Sequence, residues 1–203
     1  MEHLQTLALA GGLAWGSGLR LYAVVFAAGM LARHGLLDLP ASLQVLEHPL
    51  VLGVAGFMLS IEFLADKIPV VDSVWDAVHT FIRIPAGAIL AALALGDHDP
   101  ALMLAAGLAG GVLTAGTHAA KSGSRALINA SPEPFSNIGA SLGEDATVLA
   151  GLYAAFLHPL PFLILLGLFV LLLIWLLPRL VRGIALVFGR ILGFARGSGD
   201  ITR

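Results

Sequence analysis

Arg20 stands near the middle of an apolar run, inside the stretch LAWGSGLRLYAVV at positions 13–25, framed by Gly16, Ser17 and Gly18. A charged side chain at mid-membrane costs at least about 2.5–3.5 kcal/mol on insertion scales, so it needs a partner or a wet cavity. The two glycines weaken the helix and free backbone groups, and Ser17 adds a small hydroxyl. Together they can form an anion-binding notch at a helix break. The alternative is a helix end whose arginine snorkels to a lipid headgroup.

The densest polar text runs from Ile61 to Leu90, IEFLADKIPVVDSVWDAVHTFIRIPAGAIL. Glu62 and Asp66 are four apart and share a helical face before Pro69 ends that helix. A second helix is expected to begin near Asp72 or Ser73, with Ser73 and Asp76 in a capping-box pattern. Beyond it, Asp72, Asp76, His79 and Arg83 recur at four, three and four as one polar stripe, while Val71, Val74, Val78 and Phe81 fall elsewhere around the helix. Such a stripe suits the solvated face of an interfacial helix. It equally suits a proton relay or cation site, with carboxylates pairing to Lys67 and Arg83 or taking up protons.

A third constellation spans Gly116 to Ala146 and holds His118, Lys121, Ser122, Ser124, Arg125, Asn129, Asn137, Ser141, Glu144 and Asp145. Hydroxyls, amides and two cations near glycine can cradle a phosphate or carboxylate. A plain loop, with Ser141 and Glu144 capping a new helix, is the other reading. No Walker sequence, dinucleotide glycine fingerprint or HExxH helix occurs, so no cofactor or metal is expected. Asp97-His98-Asp99, beside Pro100, reads as an exposed turn rather than a metal site.

These groups must be positioned by membrane helices. The 203 residues are 58% hydrophobic and 12% charged, about half the charge of a soluble domain, with a mean hydropathy of +0.93. Apolar runs at 4–32, 49–65, 85–96, 101–119 and 160–178 include several long enough to cross a bilayer. The expected fold is all-α, a polytopic transmembrane helix bundle with broken or re-entrant helices, the short runs 85–96 and 146–157 being the expected half-helices. The first six residues lack Lys and Arg, so the first helix is expected to stay in the mature protein. With no cysteine, thiolate chemistry and disulfides are excluded.

Three short words recur in order: Ala10-Gly11-Gly12, Ser17-Gly18-Leu19-Arg20 and His48-Pro49-Leu50, against Ala109-Gly110-Gly111, Ser122-Gly123-Ser124-Arg125 and His158-Pro159-Leu160. They suggest two inverted repeats, 1–97 and 98–178, within a transmembrane domain 1–178. Gly12 with Gly16, and Gly107 with Gly111, have the spacing for close helix packing, in a bundle or a homodimer. Arg179, Arg182, Arg190 and Arg196 fall on one face of a basic amphipathic tail, 179–203, which places the C-terminus in the cytoplasm against anionic lipid.

The tracts SGLRLY, EFLADKIPVVDSVWDAVHTFIRIPAGA and HAAKSGSRALINASPEPFSNIGASLGEDA resemble a family of small bacterial membrane proteins, domain of unknown function 4126. The resemblance implies an integral membrane protein and carries no functional residue with it; the expected location is the bacterial inner membrane. The residues themselves point to a transporter or permease for a small anionic or lipid-phosphate substrate. Arg20, Ser17, Lys121, Ser122, Ser124 and Arg125 would bind that substrate. Glu62, Asp66, Asp72, Asp76, His79, Arg83, Glu144 and Asp145 would serve proton or ion coupling. Expected partners are membrane lipids and the substrate, with no nucleic acid. The rival readings are a membrane enzyme acting on lipid phosphate and a non-catalytic scaffold.

Overall fold

Five of the six described α-helices open on proline, whose fixed φ suits the first helical position and whose missing N–H costs nothing there. In the computed structural model, which describes residues 2–96, 98–129 and 134–197, α1 is Glu2–Arg33, a 3₁₀ segment covers Ala41–Glu47, and α2 is Pro49–Ala65. They are followed by α3 Pro69–Leu93, α4 Pro100–Ile128, α5 Pro134–Leu157 and α6 Pro159–Gly197. Side-chain caps reinforce two starts: His48 Nδ1 accepts from Leu50 N–H at 3.2 Å, and Asp99 Oδ1 from Ala101 N–H at 2.7 Å. Asp99 is thus a helix cap in a turn; Asp97 lies outside the described residues.

The expected all-α architecture is present. By length and composition Glu2–Arg33, Val70–Leu93, Pro100–Ile128 and Pro159–Arg179 can each cross a membrane, and the 3₁₀ segment with α2 would add a fifth span bent by 63°. The side-chain pattern is that of a protein in lipid. Large apolar residues such as Val74, Phe81, Leu104, Val112 and Ile174 face outward, while Arg20, Glu62, Asp66 and Arg83 are wholly buried. The polar stripe of α3 therefore faces inward, and the solvated-face alternative does not describe it.

The helix break falls in α1. Arg20 has φ −145° and ψ 78°, well outside helical values. The two arms fold back on each other: a Cβ placed on Gly16 would lie 2.6 Å from Val24 Cγ2, whereas eight positions of straight helix span about 12 Å. Both ends of α1 come to one side, since Glu2, Gln5 and Thr6 share a cavity of about 700 Å³ with Leu36, Asp38 and Pro40. The first arm is about 27 Å long and the second about 20 Å, so Arg20 sits at the tip of a V that points deep into the bundle.

Other expected breaks are filled with helix. α3 starts at Pro69, before Asp72 and Ser73, and continues through Pro85; α5 runs unbroken from Pro134. Ser73, Asp76, Ser141 and Glu144 therefore lie inside helices and are not capping boxes. α6 continues past Pro178 to Gly197. Of the four expected tail arginines, the side chains of Arg179 and Arg182 are described and exposed; those of Arg190 and Arg196 lie outside the described residues.

Small residues let the helices close around the V. A Cβ added to Gly107 or Gly111 of α4 would lie 3.3 Å from Ala92 or Ala88 of α3 respectively, and Gly12 meets Ala155 and Phe162. The four-residue glycine spacings are thus used within the chain. α6 lies along the first arm of α1 and along α4, with Phe162 and Phe169 edge-on to Trp15 and Leu173 against Gly116.

Candidate functional site

The tip of α1 supplies the first cation. Its guanidinium is held by Asp66, just after α2 (Nη1–Oδ2 2.5 Å), and by Asp145 of α5 (Nε–Oδ1 3.0 Å). Nη2 also donates to the carbonyl and hydroxyl of Ser141, at 3.1 and 3.0 Å. The break that places Arg20 here exposes the carbonyl of Leu19. Lys121 of α4 takes it up at 3.1 Å, so the backbone group released by the kink gains a charged donor.

Lys121 lies among carboxylates: Asp76 at 3.4 Å, Glu144 at 3.5 Å and Asp66 at 3.8 Å. One turn along α4, Arg125 grips Glu144 with two nitrogens, at 2.8 and 3.1 Å, and donates to the carbonyl and side-chain oxygens of Asn137. Asn137 Nδ2 in turn donates to the Asp66 carbonyl at 3.0 Å. The two Ser-Gly-x-Arg words therefore bring both arginines to the same acids: Arg20 lies 3.7 Å from Glu144, and Arg125 lies 3.7 Å from Asp66.

The third arginine extends this network along α3. Arg83 pairs with Glu62 and with Asp76 (2.9 Å), and its Nη1 also reaches His118 Nδ1 at 3.1 Å. A guanidinium can only donate, so Nδ1 accepts and the His118 proton sits on Nε2, from which it is given to Thr80 Oγ1 at 2.7 Å. Thr80 passes its own proton to the Asp76 carbonyl, and Ser122 donates to Asp76 Oδ2 at 3.2 Å. Asp72 stands at the edge, accepting from Asn129 Nδ2 at 2.9 Å.

Four cations thus meet five carboxylates in ion pairs, with Asp72 a sixth beside them. With every group ionised, carboxylates outnumber cations by two. Oε2 of Glu62 and Oδ1 of Asp72 are buried with no hydrogen-bond donor among the described residues. Among those residues no three His, Asp or Glu side chains converge as metal ligands.

Some expected residues stand apart. Ser17 bonds back to the Leu13 carbonyl at 2.6 Å, and Ser124 makes none of the network's bonds. His79 turns away from the acids. It stacks on Trp75 with ring centroids 4.0 Å apart, donates from Nδ1 to the Trp75 carbonyl, and accepts from the Tyr22 hydroxyl at 3.1 Å. Lys67, between α2 and α3, has its ammonium held below the ordinary lysine range by burial, with the neighbouring Asp145 charge opposing that shift. Sequence reasoning missed Tyr22, Thr80 and Thr114. Thr80 had a legible signal, being four residues after Asp76 on the stripe's own face.

The tracts that build this network, the tip of α1, the α2–α3 corner and the α4–α5 pair, lie within residues 7–179. A family model described as Domain of unknown function (DUF4126) matches that span. The chain belongs to the DUF4126 family. No curated protein and no solved structure matches the chain. The DUF4126 description carries no activity, so a functional reading rests on the network itself.

Proposed function

We propose that the protein is a proton-coupled permease for a small anionic or lipid-phosphate substrate. The observation that carries this reading is the buried network around Arg20, in which α1, α3, α4, α5 and the α2–α3 corner each contribute charge. Buried ion pairs are poor stabilisers, since well-packed apolar residues often do as well or better. Ionisable residues retained within a membrane bundle mark ion and substrate pathways by default. The surplus of two carboxylates gives coupling protons a place. Once protonated, Glu144 frees the fork of Arg125 and Asp145 frees one edge of Arg20 to an incoming anion, while Asp66 and Asp76 still hold Arg20 and Lys121 in place. Among the described residues Glu144 and Asp145 are also the only two ion-paired acids with appreciable exposure, 16% and 24%.

The orientation proposed is C-terminus inward in the bacterial inner membrane, because the exposed Arg179 and Arg182 stand at and just beyond the end of the last span. The test is a proteoliposome assay with an internal pH-sensitive dye, challenged with inorganic phosphate, glycerol phosphate and lactate, alongside reduction-protection of fluorescent phosphatidylglycerol. Wild type moves at least one probe together with protons, and Arg20→Gln and Arg125→Gln each abolish it while remaining folded. Absence of coupled movement for the whole panel, or unaltered flux in both variants, overturns the reading. Charge substitutions that lower thermal stability and change no flux favour the scaffold.

A further inference from the structure

A groove of about 460 Å³ opens on the outside of the bundle beside the network, between α2 and α5, with Ala23 of the second α1 arm at its floor. Its walls are apolar: Leu59, Phe63 and Leu64 on α2, Leu149 on α5. The one charged residue lining it is Asp145, which is bonded to Arg20. Ser60, Phe63, Leu64 and Lys67 fall at three- and four-residue spacings, so they form one stripe on α2 that leads out of the groove to a cation. From Leu59 to Lys67 this apolar track is about 12 Å long.

Lys67 ends the track in an unusual state. Its ammonium sits 3.0 Å over the Phe63 ring and donates to the Phe63 carbonyl at 2.8 Å. No carboxylate stands within ion-pair distance of it among the described residues, whereas Arg20, one residue away through Asp66, is saturated with acids. A cation without a carboxylate partner, at the end of an outward-facing apolar track, matches a molecule with one negative charge at the head of a hydrocarbon chain.

We infer that this groove binds an anionic phospholipid, one acyl chain lying along Leu59, Phe63, Leu64 and Leu149 and the phosphate on Lys67. The phosphate then stands beside the Asp145–Arg20 pair, and the groove is the lateral route by which a lipid-phosphate substrate reaches the network. The site's use rests on the permease reading; its existence does not.

The chain has no cysteine, so Ser60→Cys carries a single fluorophore inside the groove. The labelled full-length protein is reconstituted in vesicles of phosphatidylcholine and phosphatidylglycerol in which one or the other lipid is brominated. One lysine near a membrane surface favours anionic lipid about fivefold. Quenching at Ser60→Cys is therefore expected to report that preference. A label at Val112→Cys, exposed on α4 away from the groove, shows none. Lys67→Gln brings the two lipids to parity, and Leu149→Trp reduces quenching by both.

Equal quenching by the two lipids at Ser60→Cys overturns the inference, as do disulfide-linked dimers through that position, which would mean a second copy covers the groove. Loss of the preference in millimolar inorganic phosphate also overturns it, since the headgroup alone would then suffice. Preference without any coupled movement sinks the permease reading and leaves the lipid site standing. Coupled movement of soluble anions without preference does the reverse.

Discussion

Replacing Arg83 by methionine isolates the cost of a stranded charge. Asp76 loses one ion pair but keeps Lys121 at 3.4 Å and the Ser122 hydroxyl at 3.2 Å. Glu62 keeps nothing: Arg83 is its only ion-pair partner among the described residues, and its second oxygen already lacks a donor. Both side chains are wholly buried, so the variant leaves a buried carboxylate with no ion-pair or hydrogen-bond partner among the described residues. Breaking a buried pair in this way costs about 3–5 kcal/mol, roughly two to nearly four powers of ten in the folding equilibrium. A water-bathed pair would cost only about 0.2–1 kcal/mol.

The double variant Glu62→Met/Arg83→Met removes the orphan and restores packing, so it is expected within about 1 kcal/mol of the parent. Equilibrium unfolding of all four proteins in mixed micelles, followed by helical circular dichroism, completes the cycle. A single variant within about 1 kcal/mol of the parent refutes the claim that the pair is dry. A double variant as unstable as Arg83→Met refutes the claim that Glu62 bears the loss.

Three further outcomes follow from packing and lipid exposure. Gly18→Val puts a Cβ 2.7 Å from the Thr114 carbonyl and from Thr117 Cβ. It forces α1 from α4 at a cost of about 1–3 kcal/mol, read by the same unfolding titration, and Gly53→Ala, in open space, serves as its quiet control. Thr114→Val deletes the hydroxyl shared between the Ala14 and Gly110 carbonyls at 2.8 Å each, for a loss of about 0.6 kcal/mol and no more than about 1.7. Phe81→Arg places charge on the outward face of α3, where Phe81 is 83% exposed. In lipid this opposes insertion by about 2.5–3.5 kcal/mol, visible as lost membrane incorporation; normal incorporation would mean that face is not against lipid.

The sequence made some of this legible. Asp72, Asp76, His79 and Arg83 declared a shared face through their spacing, because helical periodicity is local. Which way that face turned was not local: it depends on α4 offering Lys121, His118 and Ser122 to it. The glycine-serine-glycine frame around Arg20 announced a weak point in α1, and the break is there. That the arms fold back depends on Val24 finding Gly16, a contact between two ends of a bend that no propensity encodes. Pro85 shows the opposite case, a residue that ends many helices yet is absorbed by α3. The pairings of Arg20 with Asp66 and Asp145 join positions far apart in the chain, and spacing alone cannot nominate them. Ser141 and Glu144 were ambiguous for a clear reason, since a capping box and a pair of arginine ligands use the same residue types.

The folded-back α1 also changes how the chain is counted across the bilayer. A hydropathy tally treats Glu2–Arg33 as one crossing, but its two ends open onto the same cavity. It enters and leaves by one side. Were each of the five later helices α2 to α6 to cross, an odd number of passages, Glu2 and Arg179 would emerge on opposite sides. A straight α1 would have put them on the same side. Reporter fusions at the two ends would then give opposite signals, and the parity of that count turns on the backbone of a single arginine.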